Sequence, residues 1–163
     1  MKIAGVDPGA TGAVAIIDTQ LGTLELIDMP VRTVKIRTTK RQRVDAAALG
    51  LELHNRTLDE AVVEQVAARP GQGVSSMFHF GRALGVVEGV FAALLVPVRH
   101  VRPQEWQRAA RVRGGEHVKD HARDRAVQLF PAYAACFGRK RDSGRADATL
   151  IAYARARELG EMP

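Results

Sequence analysis

Three short, closely spaced apolar runs open the chain. "KIAGVD", "GAVAIID" and "LELIDM" read as strands over residues 2–7, 12–18 and 24–29, with Pro8-Gly9 in the first connection. Connections this short predict an antiparallel meander. The run 45–58, "DAAALGLELHNRTL", has a helical pattern, and 61–66, "AVVEQV", reads as a buried strand returning parallel to the first. After the loop "RPGQG", residues 75–95 are helical, 96–101 form another strand, and helices are expected over 103–111, 116–130 and 145–158.

Three meandering strands, then helix, strand, helix, strand and further helices is the order of the α/β ribonuclease H-like fold. The expectation is a mixed five-stranded sheet flanked by helices, in one domain over residues 1–163. With 46% hydrophobic and 26% charged residues, the chain has enough apolar surface for one core. No apolar run approaches the ~20 residues a membrane span needs, and the start lacks a basic-then-apolar signal pattern. The lone Cys136 cannot form an internal disulfide. A soluble protein without a membrane partner is expected, in the cytoplasm at the nucleoid or in a phage-infected host.

Charge changes the picture. The net charge of +6 makes a polyanion the first partner to consider. The segment "RTVKIRTTKRQR" contains Arg32, Lys35, Arg37, Lys40, Arg41 and Arg43 with no acid, and reads as an extended basic arm. Together with 99–113 and 139–145 it holds 15 of the 24 Lys and Arg residues. Solvated surface would account for such charges individually, but clustering is what a polyanion binder requires.

Against this basic background, three acids fall at unusual places. Asp7 ends an apolar strand, and Pro8 biases it toward extended geometry. Glu64 shares a strand face with Val62 and Val66, where a carboxylate must be paired, protonated or bound to metal. Asp147 lies on one helical stripe with Leu150, Ile151 and Ala154. Each has an ordinary alternative: a turn cap for Asp7, an exposed strand face for Glu64, a first helical turn for Asp147. In the expected topology the strands of Asp7 and Glu64 are neighbours, and their C-terminal edge is where α/β sheets favour sites. Converging carboxylates repel, and hard oxygen donors without a Cys/His cluster select Mg²⁺ or Mn²⁺ over zinc.

These residues resemble a known family. "IAGVDPGATG", "VVEQVAARPGQGVSSMFHFGRALGVVEG", "VRPQEW" and "RADATLIA" are similar, in order and over most of the chain, to the RuvC-type Holliday-junction resolvases, particularly their phage-like branch. The resemblance implies a homodimeric, Mg²⁺-dependent endonuclease, with Mn²⁺ as substitute, that nicks four-way DNA junctions symmetrically with four acids per subunit. Asp7, Glu64 and Asp147 match three of them. Relatives place the fourth, an acid or histidine, three positions before the last Asp, where this chain has Gly144; Asp142 is the nearest candidate, with a helix cap as its alternative role. Lys119 matches a lysine placed near the scissile phosphate. Arg123 is a candidate for holding the backbone, as are Lys40, Arg41 and Arg43. The family's wedging aromatic is missing near Ala67, so Met77, Phe78 or Phe80 would take over the wedge if it exists. His79, His117 and His121 are weaker acid–base candidates.

In "SSMFHFGRALGVVEGVFAALL", Met77, Phe80, Leu84, Val87, Phe91 and Leu94 form a core stripe, and Gly81, Gly85 and Gly89 a separate row four apart. Helix-interior glycine costs about 1 kcal/mol relative to alanine, which calls for a close backbone contact. The resemblance implies a two-fold dimer through this helix; tight packing on the chain's own sheet is the alternative. Two other functions compete: a branched-DNA-binding protein without cleavage, and a phosphotransferase, since "DPGATG" also resembles the phosphate loop of actin-like ATPases. One domain is too short for the two lobes of the latter.

Overall fold

A computed structural model describes residues 1–36, 38–65, 71 and 73–163, with Ile36 described through its backbone only. Strand β1 (Lys2–Asp7) is buried from Ile3 to Val6 and sits at the centre of the sheet. On one side it pairs antiparallel with β2 (Ala13–Asp18), which pairs antiparallel with β3 (Thr23–Asp28), forming the expected meander. The basic segment is not an arm. It folds into a separate hairpin of β4 (Val31–Ile36) and β5 (Thr39–Val44), in which Val31, Thr33, Val34, Thr39 and Val44 favour a pleated ribbon despite their charged neighbours. On the other side of β1 lie β6 (Glu60–Glu64) and then β7 (Val98–Val101), both parallel, giving the order β3-β2-β1-β6-β7.

Alternation along these strands feeds two cores. Ala4, Val6, Val14, Ile16, Ala61 and Val63 pack against α1 (Ala46–Leu53) and α2 (Val74–Ala93). On the opposite face Ile3, Ala13, Ala15, Ile17 and Val62 meet α3 (Pro103–Ala109), α4 (Val118–Leu129) and α5 (Ser143–Glu158). Helix α1 is shorter than expected: Asp45 caps it by accepting from the Ala47 and Ala48 amides, and the ring of His54 closes on the Leu51 carbonyl at its end. In α2 the predicted stripe is core only in the C-terminal half, where Val87, Val90 and Phe91 are buried. Phe80 is exposed and Met77 half-buried. Gly81, Gly85 and Gly89 face open space, so packing on the chain's own sheet does not explain the row. Among the described residues, no helix is long and apolar enough to cross a membrane.

The contact that matters most for the site is between α5 and β1. A Cβ on Gly5 would collide with the Ala148 carbonyl oxygen and the Ala152 amide nitrogen. The helix, lined with Ala146, Ala148, Ala152 and Ala154, therefore lies directly on the strand backbone. Neither obstacle is a flexible side chain. Gly5→Ala is expected to lower stability by about 3 kcal/mol or more, a fall in melting temperature of roughly 6–12 °C for a chain of this size. A Cβ on Gly81, by contrast, meets nothing within the chain, so Gly81→Ala should leave the protomer's own packing undisturbed.

Candidate active site

Asp7 ends β1, and the following turn is closed by the Gly12 amide donating to the Gly9 carbonyl at 2.9 Å. The Gly9 amide also donates to Asp7 Oδ1 at 3.2 Å, which fixes the carboxylate at the strand tip. One strand over, Glu64 ends β6, opposite Val101 of β7; the Gln65 amide continues that pairing to the Val101 carbonyl at 2.7 Å. Glu64 Oε1 accepts from the indole Nε1 of Trp106 at 2.9 Å. Asp147 reaches the same edge from the second turn of α5, carried there by the helix's seat on β1. Lys119, in the first turn of α4, supplies a cation. All five residues line one cleft of about 1210 Å³.

The electrostatics follow from this convergence. Burial pushes the Asp7 carboxyl above its usual range, against the Gly9 amide and the Lys119 ammonium, which pull it down. Asp147 is pushed up to about 7, first by burial and then by the negative charges of Asp7 and Glu64, with Lys119 opposing. The alternative of Asp147 as a simple helix-dipole residue does not account for a carboxyl held between two others.

This donor set suits a hard divalent cation: three carboxylates, hosted by three different elements, whose mutual repulsion a cation would relieve. Among the described residues no three His, Cys, Asp or Glu side chains already stand at ligating spacing, so binding would draw the carboxylates together.

Asp142 is not brought to this cleft. It is 2% exposed, accepts from the Arg139 amide at 2.9 Å and from Arg139 Nη2 at 2.9 Å, and lies 3.8 Å from Arg145 Nη1. With Asp28, Arg139 and Arg145 it lines a separate depression on the far side of the β1–β2 turn. Arg139 holds its carboxyl below the usual range. Asp142, expected as the fourth ligand, thus lies outside the cleft, and its side chain does not cap α5: it ties down the turn before the helix instead. Gly144, the position the resemblance implies for a fourth acid, is closed to any side chain in this packing. A Cβ there would lie 2.6 Å from the Thr11 carbonyl oxygen and 2.8 Å from Gly12 Cα.

Other candidates divide. Arg41 and Arg43 line the cleft, whereas Lys40 is exposed near the hairpin tip. Arg123 is engaged elsewhere: it pairs with Asp120 and donates to the Gly138 carbonyl, tying α4 to the following loop. Met77 and Phe78 do not line the cleft; α2 contributes Ser76, His79, Phe80 and Arg82 instead. His117 and His121 lie outside it, beside Asp120 and the Arg113 carbonyl. The position of the missing wedge, Ala67, lies outside the described residues. Trp106 and Arg82 were not anticipated. For Trp106 a signal existed: a buried indole seeks an acceptor, and this is the chain's single tryptophan.

The hairpin is electrostatically unfavourable when alone. Its register sets Arg32 opposite Arg43 and Lys35 opposite Lys40, like charges that repel across the ladder. None of Arg32, Lys35, Lys40, Arg41 or Arg43 makes an ion pair among the described residues. Arg43 Nε is buried without a hydrogen-bond partner there.

No family model matches the sequence, and no curated protein does. Solved structures do. RuvC of Thermus thermophilus in complex with a Holliday junction substrate superposes with a TM-score of 0.63 at 18% identity, over 99% of this chain and 98% of that one. A second Thermus thermophilus RuvC structure gives 0.57 at 21% identity, over the same shares. The fold is the ribonuclease H-like one of RuvC. At that identity the likeness is one of architecture, the expected mixed sheet with flanking helices.

Proposed function

We propose that this chain is a structure-specific endodeoxyribonuclease of the RuvC type, of its phage-like branch, which resolves four-way DNA junctions as a homodimer by symmetric, Mg²⁺-dependent nicking. The observation that carries the reading is the meeting of Asp7, Glu64 and Asp147 in one cleft beside Lys119, Arg41 and Arg43, on a fold like that of a RuvC bound to a Holliday junction. Asp7, Glu64 and Asp147 would hold the cation, with Mn²⁺ able to substitute. Bound there, it supplies Lewis acidity toward the phosphodiester. Lys119 offsets the negative charge that grows on the phosphate during attack. Arg41 and Arg43 hold the backbone of the strand to be cut, and their contacts position DNA without reading its sequence. The exposed glycine row of α2, with Val74 and Phe78 exposed on the same helix, supports a two-fold dimer, and two sites related by such an axis suit paired nicks.

A second reading is a branched-DNA-binding protein without cleavage, and one observation favours it: the usual position of the fourth acid is closed by packing at Gly144 and Asp142 faces elsewhere. Incubating an end-labelled four-way junction with the protein, in Mg²⁺ or in EDTA, separates the two on a denaturing gel. Paired symmetric nicks that require Mg²⁺ are expected. A gel shift with intact strands in both Mg²⁺ and Mn²⁺ would select the binding-only reading.

The hairpin makes its own prediction. Arg41→Ala together with Arg43→Ala should weaken junction binding about equally for junctions of different sequence. The slope of log affinity against log salt should shrink by roughly 2, one unit per lost phosphate contact. An unchanged slope would remove the hairpin from the DNA interface.

A further inference from the structure

Trp106 is 2% exposed and belongs to the core between the sheet and the α3–α4–α5 layer. Its helix starts directly after β7, with Pro103 in the first turn, and is anchored by the Glu105 carboxylate accepting from the Arg102 amide at 3.0 Å. Downstream, the Ala110 amide donates to the Trp106 carbonyl at 2.8 Å, and Ala110 is itself fully buried. The helix is therefore anchored by its backbone, and the indole is held by its burial in the core. The ring's only polar group, the Nε1–H, donates 2.9 Å to Oε1 of Glu64 at the wall of the cleft.

We propose that Trp106 is a positioning residue for Glu64: its indole N–H fixes the orientation in which this carboxylate meets a divalent cation, and the indole is in turn sensitive to whether the cation is present. The proposal rests on the reading of Glu64 as a metal ligand. A carboxylate offers about four acceptor sites, and the indole claims one of them on one oxygen. The bond ties that oxygen to a ring seated in the core before the cation arrives. Outer-shell hydrogen bonds of this kind typically carry a factor of about 10–100 in metal affinity. A tryptophan also has a second property: its emission responds to the charge beside it. A cation neutralising Glu64 alters the field at the indole edge, and no other tryptophan contributes to the signal.

The test is Mn²⁺ binding by calorimetry, alongside Mg²⁺ titration of tryptophan emission in the whole chain. In the wild type, emission should change saturably with Mg²⁺, and the change should be absent in Asp7→Asn. Trp106→Phe keeps a buried ring and removes the N–H; its Mn²⁺ affinity should fall by about 10–100-fold. Its nicking rate should recover at correspondingly higher metal concentration, which a merely structural defect would not do. Circular dichroism and thermal melting establish that the variant is folded, and the wild-type emission titration needs no variant. Calorimetric Mn²⁺ binding that Trp106→Phe leaves unchanged, or that occurs with flat wild-type Mg²⁺ emission, would overturn the positioning role while leaving the three-carboxylate site standing. Folded wild type that binds no Mn²⁺ would overturn both.

Discussion

Asp7→Asn should abolish Mg²⁺-dependent nicking of a four-way junction while leaving junction binding in EDTA intact. The substitution keeps the size of the side chain and its acceptor for the Gly9 amide, so the turn over Pro8-Gly9 should survive. What disappears is one of three charges around which the cleft is arranged. Loss of a ligand should exceed the roughly 100-fold that loss of an outer-shell partner costs a metal site. Asn is also neutral where Asp7 is partly buried, so the variant should fold at least as stably as the wild type without metal. The measurement is a single-turnover cleavage assay on end-labelled strands beside a gel shift in EDTA. Nicking within tenfold of wild type would mean that Asp7 holds no essential cation. Binding lost together with cleavage would place Asp7 in the fold of the β1–β2 turn instead.

The second large effect concerns stability and pH. Asp147 titrates near 7 in the folded chain and near 3.8 when unfolded, so between these values the folded state holds a proton that the unfolded state has released. Stability of the metal-free protein therefore falls as pH rises through that window, and is flat above it. If the whole shift is expressed, the loss is on the order of 4 kcal/mol, since each unit corresponds to about 1.4 kcal/mol. The three carboxyls titrate as a coupled set, so the drop belongs to the cluster. Carboxylates held low by arginine, such as Asp28 beside Arg145 and Glu25 beside Arg56, act in the opposite sense, losing stability as pH falls. They are common to wild type and Asp147→Asn, so the difference between the two isolates the cluster. In EDTA, Asp147→Asn should melt about 10 °C above the wild type at pH 8 and near it at pH 4. Mg²⁺ should close the gap at pH 8 by stabilising the wild type alone. Parallel melting curves from pH 4 to 8 would show that Asp147 is not held among like charges.

Much of this was legible in the sequence because it rests on periodicity and strand order. Apolar runs in "KIAGVD" and "AVVEQV" are enough to put Asp7 at a strand end and Glu64 within a strand, and the meander followed by helix and strand makes those strands neighbours; that β6 stops at Glu64 itself is seen only in the structure. The apolar stripe through Asp147 brings the third acid. Three features were illegible for different reasons. Asp142 looked like a ligand because it is the nearest acid, while its true partner, Arg139, sits three residues back in a turn whose shape no pattern announces. The hairpin was obscured by its charge: irregularly spaced Arg and Lys residues mask the Val, Ile and Thr that make it a ribbon. The pairing of Trp106 with Glu64 spans 42 residues, and only tertiary packing decides which acceptor a buried indole finds.

Gly144 has a consequence for how such a site can change. The N-terminus of α5 rests on the Thr11–Gly12 backbone with no gap into which a methyl group could fit. No single codon change can place an acid here while the helix keeps this seat. Introducing a carboxylate would demand a compensating shift of the turn that also carries Asp7. New donors to the cleft must therefore come from its other walls, with position 144 closed to them.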